Sequence, residues 1–155
     1  MTRAAREVLT EVVTEVAAPP GVVFDLELDV DVHTASPARS GETSVTGNGR
    51  RRLGAGDDVT FPARHLSRTW VLSSRVTAYE RPVRFLDEQV RGPFRTMRHE
   101  HLFEAVPGGT RMVDRFAFSL PGGLLGLVVA RCAAAPYLRR LLLVRGRHIA
   151  ARAGP

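Results

Sequence analysis

The sequence predicts an α+β fold built from an antiparallel sheet and one long C-terminal helix. From Asp57 to Leu120, apolar and polar residues alternate with a period of two, and turn signals divide the stretch into short strands. After Pro121-Gly122-Gly123 the apolar residues recur at helical spacing. Because the links between the strands are short, successive strands are expected to pair as antiparallel neighbours and form a meander.

The first elements precede this meander. Residues 7–16 predict a strand with one solvent face. One face carries Val8, Thr10, Val12, Thr14 and Val16, and the other carries Glu7, Leu9, Glu11, Val13 and Glu15. Ala18-Pro19-Pro20 ends that strand, and residues 22–28 are predicted as a short helix because proline is tolerated at a helix start. Residues 29–56 are rich in Gly, Ser, Thr, Asp and Arg, so we expect a long loop with at most one strand, near 42–46.

Five strands are predicted next, at Asp58–His65, Thr69–Tyr79, Val83–Arg91, Phe94–Val106 and Arg111–Leu120. Turn dipeptides and tripeptides separate several of them, at Arg81-Pro82, Gly92-Pro93 and Pro107-Gly108-Gly109. Together with the first strand and the one near residue 45, they give a sheet of about seven strands.

The C-terminal helix is predicted from Leu124 to about Arg152. Its apolar stripe contains Leu124, Leu125, Val128, Val129, Cys132, Ala135, Leu138, Leu141, Leu142, Val144 and Ile149. Pro136 lies inside this pattern and removes a helical hydrogen bond, so we expect a kink or a break near Ala133 to Pro136. Cys132 is the single cysteine, which excludes an intrachain disulfide, and its apolar neighbours predict a small buried side chain.

Length and composition indicate one globular domain spanning residues 1–155. The chain is 44% hydrophobic and 25% charged, as in an ordinary water-soluble protein. Its N-terminus carries glutamates instead of a basic and then apolar signal segment, and no apolar run approaches the ~20 residues that span a bilayer. We therefore expect a cytoplasmic protein that is not transmembrane.

The positive charge is concentrated at the C-terminus. All 22 basic residues are arginines, and residues 121–155 contain six of them and no carboxylate. The whole net charge of +6 therefore belongs to this segment. There is no nucleic-acid recognition motif and only one Trp and two Tyr, so no nucleic-acid partner is expected. The helix either has a solvated basic face or docks an acidic protein partner.

Two histidines on one predicted strand are the strongest chemical signal. Because side chains alternate across a strand, one face carries Met97, His99, His101 and Phe103. The preceding strand presents a similar mixed stripe of Phe85, Asp87, Gln89 and Arg91. Such mixtures are unusual for a dry core, so these stripes predict a polar-lined cavity.

His99 and His101 are the candidate catalytic residues, because imidazole exchanges protons near neutral pH. The alternative is structural, with each ring hydrogen-bonded to Asp87, Gln89 or a buried water. Arg91 is a candidate for binding an anionic ligand group, although a bond to a turn carbonyl is equally consistent. His65 shares the alternation of its strand, and Trp70 is either cavity wall or core.

The sequence gives no reason to expect a metal or a cofactor. Imidazoles two residues apart on a strand can converge on an ion, but zinc usually needs at least three protein ligands, and no third ligand is evident. There is no HExxH, no cysteine cluster and no GxSxG. The glycine-rich GNGRRRLGAG lacks the spacing of a dinucleotide-binding loop and is interpreted as a turn.

Several motifs in the same order resemble the SRPBCC superfamily, and within it the polyketide cyclase/dehydrase-like group. They are APPGVVFDL, GDDVTFPARH, RFLDEQVRGPF followed by HEHLFE, and GGTRMVDRFAFSLPGG. The resemblance implies the helix-grip fold, in which the sheet curves around the long C-terminal helix. It also implies an internal cavity for a hydrophobic or aromatic small molecule.

Two functions are compatible with this resemblance. The first is binding of a hydrophobic or aromatic small molecule between sheet and helix, in a pocket of roughly 300–1,000 Å³. The alternative is a polyketide aromatase/cyclase or dehydratase that uses the cavity histidines, with an acyl carrier protein as the acidic partner of the helix. A non-catalytic interaction module that uses the basic helix is a third class.

Overall fold

The computed structural model describes residues 6–29, 32, 45–46, 52–65 and 68–154, with the backbone alone for 45–46, 61–65 and 69. Its strands are β1 (Val8–Val16), β2 (Val45–Thr46), β3 (Asp58–His65), β4 (Arg68–Glu80), β5 (Arg84–Arg91), β6 (Thr96–Val106) and β7 (Gly109–Ser119). Its helical elements are α1 (Pro20–Leu28), α2 (Gly123–Val129), a π-helical turn (Ala130–Ala134) and α3 (Ala135–Ala153). The predicted elements are therefore present in the predicted order.

The seven strands form one antiparallel sheet in the order β1-β7-β6-β5-β4-β3-β2. Consecutive strands from β2 to β7 are neighbours, which confirms the meander, and β1 completes the sheet beside β7. The sheet is curved. The β4–β5 register shifts at Ser73/Ser74 and at Val76/Ala78, and irregularities of this kind bend a strand and increase its twist.

The outer face of the sheet carries charged pairs between neighbouring strands. Arg111 donates to Glu15 with an Nε–Oε1 distance of 2.9 Å, and Arg115 donates to Glu11 with an Nε–Oε2 distance of 2.8 Å. These pairs join β7 to β1 across the solvent side. The inner face of β1 instead buries Val12 and Val16, as the alternation predicts.

The C-terminal helix is interrupted where the proline predicts. The π-helical turn lies immediately before Pro136, which stands in the first turn of α3, where its missing N–H costs little. The expected kink or break takes the form of this π-helical turn, and the helix continues through Pro136. The prediction that Cys132 is buried is wrong: its side chain is exposed, because the apolar stripe faces solvent at this end of the helix.

α3 packs mainly against β1 and α1. Gly146 permits this approach, because a Cβ at that position would lie 2.3 Å from the Thr14 hydroxyl. Near the other end of the contact, Arg139 Nη1 donates to the Glu11 carbonyl oxygen at 2.7 Å. No described helix is both long and apolar enough to cross a membrane.

Candidate ligand cavity and its buried charge network

His99 and His101 lie on the inner face of β6, in the middle of the sheet, and their exposed fractions are 4% and 0%. The register explains their neighbours. Asp87 on β5 stands opposite His99, and Asp114 on β7 stands opposite His101. Each histidine is therefore within reach of carboxylates from the adjacent strands.

Three short contacts join these side chains. His99 Nε2 and Asp114 Oδ1 are 3.0 Å apart, and His101 Nε2 and Asp87 Oδ2 are 2.9 Å apart. The other nitrogen of His101, Nδ1, lies 3.1 Å from the same Asp114 oxygen. Asp114 therefore stands between the two imidazoles, whose ring centres are 3.8 Å apart.

Two helices add one charge each. Arg145 on α3 donates through Nη2 to Glu27 Oε2 on α1, and that oxygen lies 3.6 Å from His101 Nδ1. Both residues are buried. We refer to Glu27, Asp87, His99, His101, Asp114 and Arg145 as the buried charge network.

The network drives the two histidines to opposite protonation states. Burial and the nearby charge of His101 lower the pKa of His99 to about 4. For His101, burial also disfavours the charged ring, but the carboxylates of Asp114 and Asp87 outweigh it and raise its pKa to about 9. At neutral pH, His101 is a cation held between carboxylates and His99 is a neutral base.

The carboxylates respond to the same forces. Burial raises the pKa of Glu27, although Arg145 opposes the shift. Burial acts in the same direction on Asp114 and Asp87, but the hydrogen bonds with the histidines outweigh it and hold both pKa values below the ordinary range. Because ionised Asp114 can only accept hydrogen bonds, neutral His99 must carry its proton on Nε2, which leaves Nδ1 as the proton acceptor.

A cavity of about 40 Å³ adjoins this network. Polar groups of Glu27, Ser74, Asp87, His99 and Arg145 line part of it. The remaining wall is apolar and consists of Leu28, Leu53, Val59, Leu72, Val76, Phe85, Met97 and Phe116. The volume suffices for two or three water molecules. It does not reach the predicted 300–1,000 Å³, because side chains from both layers fill the space that the described residues enclose.

The structure brings four of the predicted site residues to this cavity: Phe85, Asp87, Met97 and His99. His101 lies behind them, fully buried between carboxylates, so it contacts the network and not the cavity. Phe103 was expected in the lining but packs in the core, with its ring centre 5.2 Å from that of Phe24. Its position toward the end of β6, level with α1, explains the difference.

Three other predicted residues lie away from this cavity. The Gln89 side chain is held by the Phe94 backbone, donating to its carbonyl at 2.8 Å and accepting from its N–H at 3.1 Å. Arg91 is exposed at the end of β5. Trp70 packs under the Arg68 guanidinium, 4.9 Å from the ring centre. The side chain of His65 lies outside the described part of the structure.

Sequence reasoning missed three members of the network, Glu27, Asp114 and Arg145. Two of them leave a signal in the sequence. Asp114 interrupts the inward stripe of Met112 and Phe116 on β7, and Arg145 interrupts the stripe of the C-terminal helix. A charged residue inside an apolar stripe is costly unless it is paired, so such interruptions point to a buried partner.

Two groups of side chains in the network are close enough together to hold a metal ion. Asp87, His99 and His101 each offer a ligand atom within 4.8 Å of the others, as do Glu27, His101 and Asp114. However, His101 Nε2 lies at a hydrogen-bond distance of 2.9 Å from Asp87 Oδ2, and protonated His101 supplies positive charge between Asp87 and Asp114. The geometry therefore does not require a metal.

Several solved structures are similar to this one over nearly the whole chain. The aromatase/cyclase ZhuI from Streptomyces sp. R1128 superposes with a TM-score of 0.74 at 17% identity, covering 95% of this chain and 93% of that one. Major latex-like protein 151 from Panax ginseng gives 0.73 at 13% identity, covering 96% and 99%. TTHA0849 from Thermus thermophilus gives 0.71 at 18% identity, covering 96% and 99%.

No protein-family model matches the chain, and no curated protein matches it significantly in sequence. Because the sequence identities are low, the similarity to the solved structures shows only that the fold is shared. It agrees with the resemblance carried by the sequence motifs. This chain has the helix-grip fold, in which a curved antiparallel sheet packs around a long C-terminal helix.

Proposed function

We propose that this protein binds a hydrophobic or aromatic small molecule that carries a hydrogen-bonding oxygen. The observation behind the proposal is the cavity between sheet and α3, where an apolar wall meets the polar groups of Asp87, His99 and Arg145. Small-molecule sites have this composition, in which apolar walls supply affinity and a few polar groups fix orientation. The aromatase/cyclase and the latex-like protein share the fold in which we place the site.

The ligand must widen the cavity, because drug-sized molecules occupy roughly 300–1,000 Å³ and the cavity measures about 40 Å³. The packing of the helix suggests how this happens. α3 is held mainly by β1 and α1, whereas Val59, Ser74 and Val76 line the cavity from β3 and β4. That side of the sheet can separate from α3 while the α3–β1 contact stays intact.

A neutral apolar fluorophore tests the binding site. N-phenyl-1-naphthylamine should bind with low-micromolar affinity and a stoichiometry near one. Ser74 is buried in the cavity wall, so Ser74→Leu should weaken binding at least about tenfold, because the added side chain occupies the ligand space.

Thr77→Leu is the matched control, since it adds the same side chain to an exposed position of the same strand. It should leave the affinity unchanged. Equal affinity in the two variants, with both melting temperatures near that of the original chain, would contradict the assignment of the ligand to this cavity.

Proton-transfer catalysis, as in a polyketide cyclase or dehydratase, is a second candidate function. The observation that favours it is the split protonation of the histidines, with a neutral base at the cavity and a cation behind it. Enzymes that move protons near neutral pH place such groups in one site. In this scheme His99 Nδ1 removes a proton from the carbon beside a ligand carbonyl. The positive charge of Arg145 stabilises the resulting enolate oxygen, and His101 positions Asp114 and thereby His99.

Exchange of α-protons tests this scheme directly. The protein should accelerate deuterium incorporation into an acetoacetyl thioester in D₂O, measured by proton NMR. His99→Gln should slow the exchange by about 10²–10⁴-fold, while Met97→Leu, which changes an apolar side chain of the same cavity, should slow it no more than a few-fold. Exchange no faster than in buffer would eliminate the catalytic candidate and leave the binding proposal standing.

A further inference from the structure

The start of the C-terminal helix exposes a cluster of large apolar side chains. The exposed fractions are 64% for Leu124, 73% for Leu125, 56% for Val128 and 44% for Val129. We refer to these four residues as the α2 patch. The opposite side of α2 is anchored, since Gly126 and Leu127 are buried. Single exposed apolar residues are ordinary, but four on one short helix form a contiguous surface that marks an interaction site.

Helical spacing makes the patch continuous. Leu124 and Val128 are four residues apart and form one row, while Leu125 and Val129 form the adjacent row. Exposed Cys132 extends the surface into the π-helical turn. The result is an apolar stripe that runs along the helix axis.

Arginines follow this stripe along the C-terminal helix. Arg131, Arg139 and Arg140 are exposed, and residues 121–155 contain no carboxylate to neutralise them. Within the described part of the chain, Arg131 and Arg140 form no ion pair, and Arg139 bonds to a neutral backbone carbonyl. The arginines on the outer face of the sheet behave differently, because Arg111 and Arg115 are both paired with glutamates.

We propose that the α2 patch docks on the surface of an anionic lipid bilayer. The leucines and valines would enter the boundary between headgroups and acyl chains, and Arg131, Arg139 and Arg140 would lie among the lipid phosphates. Interfacial helices combine an apolar face with a basic border in this way. This proposal is independent of the ligand cavity.

Charge favours a lipid surface over two other occupants. In a symmetric dimer through the patch, the unneutralised arginines of one copy would approach those of the other, and like charges repel. An acidic protein, the partner considered from the sequence, would neutralise the arginines but has no need of four exposed aliphatic side chains. An anionic bilayer satisfies both features at once.

Vesicle cosedimentation tests the proposal. The protein should bind vesicles of phosphatidylcholine with about one-third phosphatidylglycerol at least about tenfold more tightly than vesicles of phosphatidylcholine alone. In the double variant Arg131→Gln/Arg140→Gln, the affinity for the anionic vesicles should fall roughly 25-fold, about fivefold for each charge removed. In Leu125→Ser/Val128→Ser, this affinity should fall at least about tenfold, because the serine side chains do not enter the boundary between headgroups and acyl chains.

Two variants provide matched controls. Arg152→Gln removes the same charge from the same helix, roughly 30 Å from Arg131 at 1.5 Å per residue. Val83→Ser removes an exposed valine from the β4–β5 turn, at the opposite end of the sheet from α2. Both should bind anionic vesicles as the original chain does.

Circular dichroism and melting temperature establish that each variant is folded. Equal affinity for neutral and anionic vesicles, or no binding to either, would overturn the proposal. So would a dimer in analytical ultracentrifugation that Leu125→Ser/Val128→Ser dissociates while vesicle binding is unchanged, since the patch would then be occupied by a second copy.

Discussion

Replacing Asp114 with asparagine should lower the free energy of unfolding by about 3–5 kcal/mol. Asp114 is 2% exposed and lies within 3.0 Å of His99 and 3.1 Å of His101. Asparagine keeps the shape of the side chain but removes the negative charge, so the buried His101 cation loses one of its two nearest carboxylates. Breaking a buried charge pair from one side has this cost, because the remaining charge cannot regain its hydration.

Asp58→Asn is the matched control. Asp58 also receives short hydrogen bonds, from Arg75 at 2.6 Å and 2.9 Å, but both partners are well exposed to solvent. Exposed pairs contribute little, so this variant should change the free energy of unfolding by less than about 1 kcal/mol in urea denaturation. Similar losses in the two variants would contradict the account of the network as a buried, charged unit.

Stability should be greatest near pH 6.5 and fall on both sides. The folded pKa of His101 is about 9, above its ordinary value of 6.5, so the stability that it contributes is complete below pH 6.5 and lost as the pH rises toward 9. The folded pKa of His99 is about 4, below its ordinary value of 6.5. As the pH drops from 6.5 to 4, His99 is therefore protonated in the unfolded chain but still neutral in the folded one, and stability falls. Each shift corresponds to a loss on the order of 3 kcal/mol.

Urea denaturation at a series of pH values measures this profile. His101→Gln should remove the fall on the alkaline side, and His99→Gln should remove the fall between pH 6.5 and 4. Below about pH 4 the original chain should lose further stability, because Asp87 and Asp114 have lowered pKa values and begin to protonate in the unfolded chain first. A profile that is flat from pH 5 to 9 would contradict the opposite protonation of the histidines.

The sequence was most informative where structure depends on local patterns. Alternation in β6 correctly predicted that His99 and His101 face inward, and Pro136 correctly predicted an irregularity in the C-terminal helix, which is a π-helical turn. Both conclusions follow from local geometry. A strand has a period of two, and a proline lacks the N–H of its turn.

Features that depend on packing between distant elements were not predictable in the same way. Glu27 meets Arg145 across 118 positions of sequence, so nothing near either residue indicates the pair. Leu124 and Leu125 follow a helical pattern like that of buried Leu142, yet they are exposed because the anchored side of α2 is formed by Gly126 and Leu127. The cavity volume likewise depends on how closely both layers pack, which periodicity does not determine.

Nitrogen-15 NMR of the histidine side chains measures the protonation state of each ring. At pH 7 the His101 ring should show two protonated nitrogens and a positive charge, while the His99 ring should be neutral with its proton on Nε2. Raising the pH through 9 should deprotonate His101, and lowering it to 5 should leave His99 neutral. Two neutral rings at pH 7, or a charged His99, would contradict the proposal that the buried charge network holds a neutral base at the cavity.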